Sequence, residues 1–201
     1  MGVLMPLLHR VAPGPRGLAL LLLVALVALG GASEGRADTT RYRVQSDGSQ
    51  LGFHATSRLA NADGRFTRFS GEVLADPADL ASGRVRVSIE AASIETGIGR
   101  RDNHLRSEGF LYVERFPTIT FESTRVERDG GHLVLMGRLS IRGVTREVRV
   151  PVEVSVADGR LEARGRFDIN REDFGVSYDS MLNPIGQRVR IDFALRAQAI
   201  R

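Results

Sequence analysis

Residues 147–170 read EVRVPVEVSVADGRLEARGRFDIN. Val148, Val150, Val152, Val154 and Val156 alternate with Glu147, Arg149, Pro151, Glu153 and Ser155. Beyond Asp158-Gly159, the residues Leu161, Ala163, Gly165, Phe167 and Ile169 alternate with Glu162, Arg164, Arg166, Asp168 and Asn170. A period of two belongs to a strand with one apolar and one polar face. Asp-Gly is a favoured two-residue hairpin turn, and it pairs Ala157 with Arg160, Val156 with Leu161, Val154 with Ala163 and Val150 with Phe167. Every apolar residue then falls on one face, as a register set by one buried side requires. Pro151 has no N–H to give to a ladder, which points to a bulge or an edge there.

The same alternation extends in both directions, through Val85, Val87 and Ile89 upstream and Val189, Ile191, Phe193, Leu195 and Ala197 downstream. Around Asp129-Gly130-Gly131, a three-residue loop pairs Phe121 with Leu139 and Ile119 with Ile141. A two-residue loop at Asp129-Gly130 would break that match, so a Gly-containing bulged hairpin is expected. Only Gly99 to Tyr112 departs from the strand pattern, and it reads as a short helix or turn inserted between strands. Long two-faced strands leave exposed edges unless the sheet closes or packs on another. The expectation is therefore all-β: an antiparallel barrel of about eight strands with a short helical insertion. An outer-membrane barrel would share the alternation with its apolar face outward. The absence of Trp and the presence of only three Tyr give no aromatic girdles and favour the inward-facing form.

At the N-terminus, the apolar run Leu18 to Leu29 follows His9, Arg10 and Arg16 and precedes small residues. This is the pattern of a secretory signal peptide, and the run is shorter than the roughly 20 residues of a membrane span. Cleavage after Ala37 is expected, with Ala32 as the other plausible point. That leaves one domain over residues 38–201, outside the cytoplasm and without a stable membrane span. The chain has 28 basic and 24 acidic residues. Arg10, Arg16, Arg36 and Glu34 leave with the leader, so the formal charge falls from +4 to about +2. Every basic residue is Arg and no run exceeds Arg100-Arg101, which argues against nucleic acid as a partner. There is no cysteine, hence no disulfide and no acylated thiol. His54, His104 and His132 are widely scattered, so no metal or other cofactor is expected.

Two stretches carry a family resemblance: Arg101-Asp102-Asn103-His104-Leu105-Arg106-Ser107, and Phe116-Pro117-Thr118-Ile119-Thr120-Phe121-Glu122-Ser123. With Gly137-Arg138-Leu139, Ile141 to Thr145 and Asn170 to Gly175, they run in order through nearly the whole mature chain. Together they resemble the YceI family. The resemblance implies an extended lipocalin-like barrel that binds polyisoprenoids or other long-chain amphiphiles in the bacterial periplasm. The pattern departs from the family at Ser57, where members often carry His, at Tyr112 in place of Asp, and at Arg146-Glu147 in place of Lys-Pro. These departures concern the ligand head group more than the fold.

Phe53, Phe66, Phe121, Leu139, Phe167 and Phe193 on the apolar faces are the candidate lining of a ligand tunnel, with ordinary core packing as the alternative for each. Arg101 and His104 are candidates for a head group, since an Arg fork suits phosphate and His can donate or accept. The structural alternative is that Asp102 caps a first helical turn while Arg101 and His104 tie the insertion to the barrel. Arg171 and Asp173 read as an ion pair at a barrel rim, with contact to a ligand as the alternative. No Gly-x-Ser-x-Gly, cysteine nucleophile or His-Glu-x-x-His pattern is present, so no catalytic residue is assigned. An envelope enzyme using His104 and Asp102 is the alternative, and a filled barrel acting through a protein partner is a third. The expected function is a binding protein for a long-chain isoprenoid, quinone-like or fatty-acyl ligand.

Overall fold

The computed structural model describes residues 39–200 apart from Ala60, Asp179, Ser180 and Leu182. The expected leader and its cleavage point at Ala37 lie outside the described residues. Ten strands and one α-helix follow in chain order. They are β1 (Thr40–Ser57), β2 (Ala62–Phe66), β3 (Phe69–Asp76), β4 (Asp79–Glu90), β5 (Ile94–Glu95), α1 (Gly99–Arg106), β6 (Thr118–Asp129), β7 (His132–Ile141), β8 (Val144–Ala157), β9 (Arg160–Asn170) and β10 (Ile185–Ile200).

Eight of the strands form a closed antiparallel ring in the spatial order β1, β3, β4, β6, β7, β8, β9, β10. Closure comes from β10, which pairs back along β1 from Ile200–Arg41 to Ile185–Ser57. The register of β1 shifts between Gln45 and Gln50, around Gly48 at φ +71°. Before this break β1 pairs with β3, and after it with β2. The short strand β5 pairs with β2 through Arg65–Glu95 and Phe66–Ile94. β2 and β5 thus raise one wall above the ring. Among the described residues, the strand pairings that close the ring run from Thr40 to Ile200.

The β8–β9 hairpin has the expected register, Ala157–Arg160, Val156–Leu161 and Val154–Ala163, with Asp158 and Gly159 both at positive φ. Its ladder ends at Val152–Gly165, so Val150 and Phe167 are not a ladder pair. The ladder stops beside Pro151, the residue with no N–H, while β8 continues past it against β7 without a register shift. The break at Pro151 is therefore confined to the β9 side.

Phe121 pairs with Leu139 as expected, by a different route. The loop is two residues long, Gly130-Gly131, both at positive φ, and it joins Asp129 to His132. The compensating extra residue is Thr124, because the register shifts between Ser123 and Arg125 inside β6. The ladder ends at Thr120–Ser140, so Ile119 and Ile141 fall just past it.

The apolar faces point inward. Tyr42, Val44, Val73, Ala75, Leu161 and Ala197 close the end where β1 begins, and Tyr42 is only 1 % exposed. The outer wall carries cross-strand ion pairs instead of an apolar band. Glu122 bridges Arg86 and Arg138, Glu127 holds Arg149 of β8 beside Arg125 of its own strand, and Arg164 pairs with Glu153. Water and salt screen each such exposed pair, but together they mark the wall as water-facing.

Candidate functional site

A cavity of about 440 Å³ occupies the other half of the barrel. Its floor is set by Val85, Leu135, Phe193 and Leu195, which also border a residual void of about 70 Å³ at the closed end. Phe53, Phe66, Phe121, Leu139 and Phe167 lie on its walls with Val87, Ile119, Val189 and Ile191. The six apolar residues singled out from the sequence therefore border one space, as do Arg101 and His104 at its mouth.

The space is open because of glycines. A Cβ on Gly64 would collide with the Phe53 ring, while one on Gly137 would lie 2.6 Å from Phe121 and one on Gly165 2.6 Å from Phe193. Each phenyl ring thus occupies wall space that a neighbouring side chain would otherwise fill, leaving the centre of the barrel free. An isolated strand glycine signals such close approach.

At the mouth α1 and its flanks are fixed by a knot of hydrogen bonds. Arg101 Nε donates to Thr96 Oγ1 at 2.8 Å, and Thr96 Oγ1 donates onward to Asp102 Oδ1 at 2.5 Å. The Thr96 N–H donates to the same Oδ1 at 2.8 Å, and Arg101 Nη2 donates to the Thr96 carbonyl. Asp102 therefore does not cap the first turn of its helix. The N-cap is Ile98, which has no side-chain cap, and the buried Asp102 carboxylate holds the preceding loop instead. Arg101 ties α1 to the β1–β2 loop through the Asn61 carbonyl at 3.4 Å. Arg106 donates to the carbonyls of Ala92 and Ile94, and Arg142 to those of Glu108 and Phe110.

Arg171 departs from its expected pairing with Asp173. It is buried, and its guanidinium donates to the carbonyls of Val176, Ile185 and Gly186 at 2.5, 3.0 and 3.1 Å. Its nearest carboxylate is Glu172, at 3.4 Å. Three backbone carbonyls need a planar fork of donors, which only arginine provides.

His104 is exposed and belongs to an aromatic cluster. Its ring meets Phe110 edge-on at 4.9 Å and Tyr178 edge-on at 4.7 Å, and Phe110 and Tyr178 lie 4.8 Å apart. Tyr178 is a mouth residue that sequence reading did not single out. Among the described residues His104 makes no contact with Asp102, consistent with i, i+2 positions on different helix faces. No group of three or more His, Asp or Glu able to hold a metal occurs among the described residues.

No buried side-chain N or O among the described residues lacks a partner. The interior therefore offers an occupant almost no polar contact, and polar groups such as Thr56, His104, Tyr178 and Asn183 gather at the mouth. A cavity of about 150 Å³ takes up benzene, so this one has room for roughly 18 carbons. At about 0.8 kcal/mol for each buried methylene, a chain of about 15 carbons gains about 12 kcal/mol before the costs of association.

Residues 42–197 match the model of the YceI-like domain. The chain is 31% identical over 180 residues to a UPF0312 protein of Pseudomonas aeruginosa, covering 84% of this chain and 93% of that protein. A UPF0312 protein of Enterobacter sp. is 36% identical over 135 residues, covering 63% of this chain and 68% of the relative. Among solved structures, Burkholderia cenocepacia BcnA superposes with a TM-score of 0.72 at 26% identity, covering 77% of this chain and 99% of BcnA. A polyisoprenoid binding domain from Saccharophagus degradans, implicated in plant cell wall breakdown, shares the fold. Its TM-score is 0.63 at 17% identity, over 79% of this chain and 98% of the domain.

Proposed function

The chain belongs to the YceI-like family, and from that premise we propose that it is a periplasmic carrier or store that encloses one long-chain amphiphile of the isoprenoid, quinone-like or fatty-acyl kind. The apolar cavity of about 440 Å³ is the observation that carries this reading. Its volume lies in the range of ordinary ligand sites, about 300–1,000 Å³. The description of the Saccharophagus degradans fold neighbour as polyisoprenoid binding agrees with it. The leader-like N-terminus supports export.

The apolar tail lies among Phe53, Phe121, Leu139 and Phe167, and the polar end sits at the mouth beside His104 and Tyr178. Arg101 acts as a fixed part of that mouth, its donors already engaged by Thr96 and Asn61. The protein works by enclosure, without catalysis. An acid-base role for His104 would need a partner, and the Asp102 oxygen is held by Thr96. A filled barrel is disfavoured by a cavity many times larger than a water molecule.

Native mass spectrometry of the protein from a bacterial periplasm, with organic extraction and identification of what co-purifies, tests the reading. A stoichiometric long-chain lipid or quinone is expected. An empty protein that also takes up no added prenyl lipid or fatty acid would overturn it. Ala55→Phe, placed on the cavity wall, should abolish uptake and leave the fold intact.

A further inference from the structure

Among the described residues three large apolar side chains are strongly exposed: Leu59 at 72 %, Ile98 at 53 % and Met181 at 96 %. They come from three separate loops, and all three loops meet at the cavity mouth. The β1–β2 loop carrying Leu59 is joined to the segment carrying Met181, because the Leu59 N–H donates to Asn183 Oδ1 at 2.9 Å and the Arg58 N–H to the Pro184 carbonyl at 3.2 Å. Arg101 joins that same β1–β2 loop, through Asn61, to the helix that Ile98 precedes. Thr56, Ser57, Ala62, Arg101, Tyr178 and Asn183 line the opening between them.

Among the described residues, the barrel wall with its cross-strand ion pairs carries no such cluster. Scattered exposed apolar residues need no explanation, but a group confined to the rim of an apolar cavity does. Two arginines flank it. Arg58 adjoins Leu59 and Arg100 lies two residues past Ile98. Both are exposed, and neither has a carboxylate within ion-pair distance among the described residues. Three described carboxylates near these loops are engaged: Asp63 by His54 at 2.5 Å, Glu95 by Arg65 at 3.0 Å, and Asp102 by Thr96.

We propose that this sector of the rim is a membrane-docking surface. Leu59, Ile98 and Met181 enter the headgroup–acyl boundary of a bilayer while Arg58 and Arg100 meet lipid phosphates, so that the cavity mouth opens against the lipid. Apolar side chains flanked by cations are the pattern of interfacial binding. The docking gives an apolar ligand a path between bilayer and barrel that does not cross water. In purpose it rests on the carrier reading; its geometry stands apart from it.

The test uses residues 38–201, since a leader would bind vesicles by itself. Vesicles of phosphatidylcholine and phosphatidylglycerol in a 3:1 ratio are floated with the protein. The wild-type barrel is expected to float, more weakly with phosphatidylcholine alone. The combined variant Leu59→Ser, Ile98→Ser, Met181→Ser should lose about tenfold or more in vesicle affinity. Uptake of a fluorescent fatty acid from solution should stay unchanged in that variant.

Because the chain has no Trp, Met181→Trp supplies a single reporter at a position too exposed to disturb folding. Its emission should shift to the blue when vesicles are added. A wild type that stays with the soluble fraction, a triple variant that floats equally well, or a Met181→Trp emission that does not move would each overturn the docking. Flotation without fatty-acid uptake would leave docking standing and remove the carrier reading.

Discussion

Phe53 and Gly64 face each other directly across β1 and β2, and the Phe53 ring fills the space that any side chain at Gly64 would need. The three atoms nearest a Cβ there are side-chain atoms, two on the edge of Phe53 and the Thr96 methyl. Gly64→Ala should therefore fold, with Phe53 displaced from the wall into the cavity. A stability loss of about 1 kcal/mol is expected, at the low end of overpacking costs. Fatty-acid affinity should fall about tenfold, read by fluorescence titration; unchanged affinity would mean that the ring does not hold the space open. Gly165→Ala differs because its Cβ meets the Pro151 carbonyl as well as Phe193. Backbone cannot step aside, so about 3 kcal/mol is expected in urea unfolding.

Arg171 supplies donors to three backbone carbonyls, those of Val176, Ile185 and Gly186. Arg171→Ala should cost about 3 kcal/mol, since buried acceptors lose their partners. Arg171→Lys should recover only part of this, because an ammonium lacks the planar fork. Full recovery by lysine, measured as the urea midpoint, would show that charge alone matters here.

Asp102 and Thr96 make a second separable case. Asp102→Ala leaves the Thr96 N–H and the Arg101–Thr96 chain without their acceptor. A loss of about 2 kcal/mol is expected, with increased amide exchange across residues 94–106. Asp102→Asn keeps an oxygen acceptor and should be milder. If the alanine variant exchanges like the wild type, the knot does not hold α1.

The barrel is legible in Val148–Val156 and Leu161–Ile169 because a period of two is a local property, and Asp158-Gly159 fixes their register by turn chemistry. The eight candidates border one cavity because inward-facing strand positions of a closed ring converge. The bulge at Thr124 is not legible: nothing in Ser123-Thr124-Arg125 marks an extra residue, which shows only against the length of β7. Tyr178 escapes for a similar reason, since its place beside His104 depends on how the segment after Gly175 returns to the rim. Asp102 at the start of a helical stretch invites assignment as a cap. Its actual partner, Thr96, lies before the helix, where short-range rules give no weight. The Phe–Gly contacts are half legible, because a lone strand glycine announces close approach without naming the ring.

The outer wall sets the response to acid. Arg86 hydrogen-bonds Glu122 and adds its charge, with Arg138 contributing less, and together they hold the Glu122 carboxyl below the ordinary glutamate value of 4.5. The hydrogen bond from Arg68 does the same for Glu90. A carboxylate whose folded pKa lies below its unfolded value adds stability that is complete above the unfolded value. That contribution is lost as pH falls through the folded one. These two groups should therefore leave the urea midpoint level between about pH 7 and 5 and lower it below about 4.5. Glu122→Gln removes one of them, so its midpoint should approach that of the wild type as the solution is acidified. Both carboxylates are solvent-exposed, and about 0.5 M salt should narrow the gap at neutral pH. Wild-type and variant curves that run parallel down to about pH 3 would show that the Arg86–Glu122–Arg138 bridge contributes nothing to acid stability.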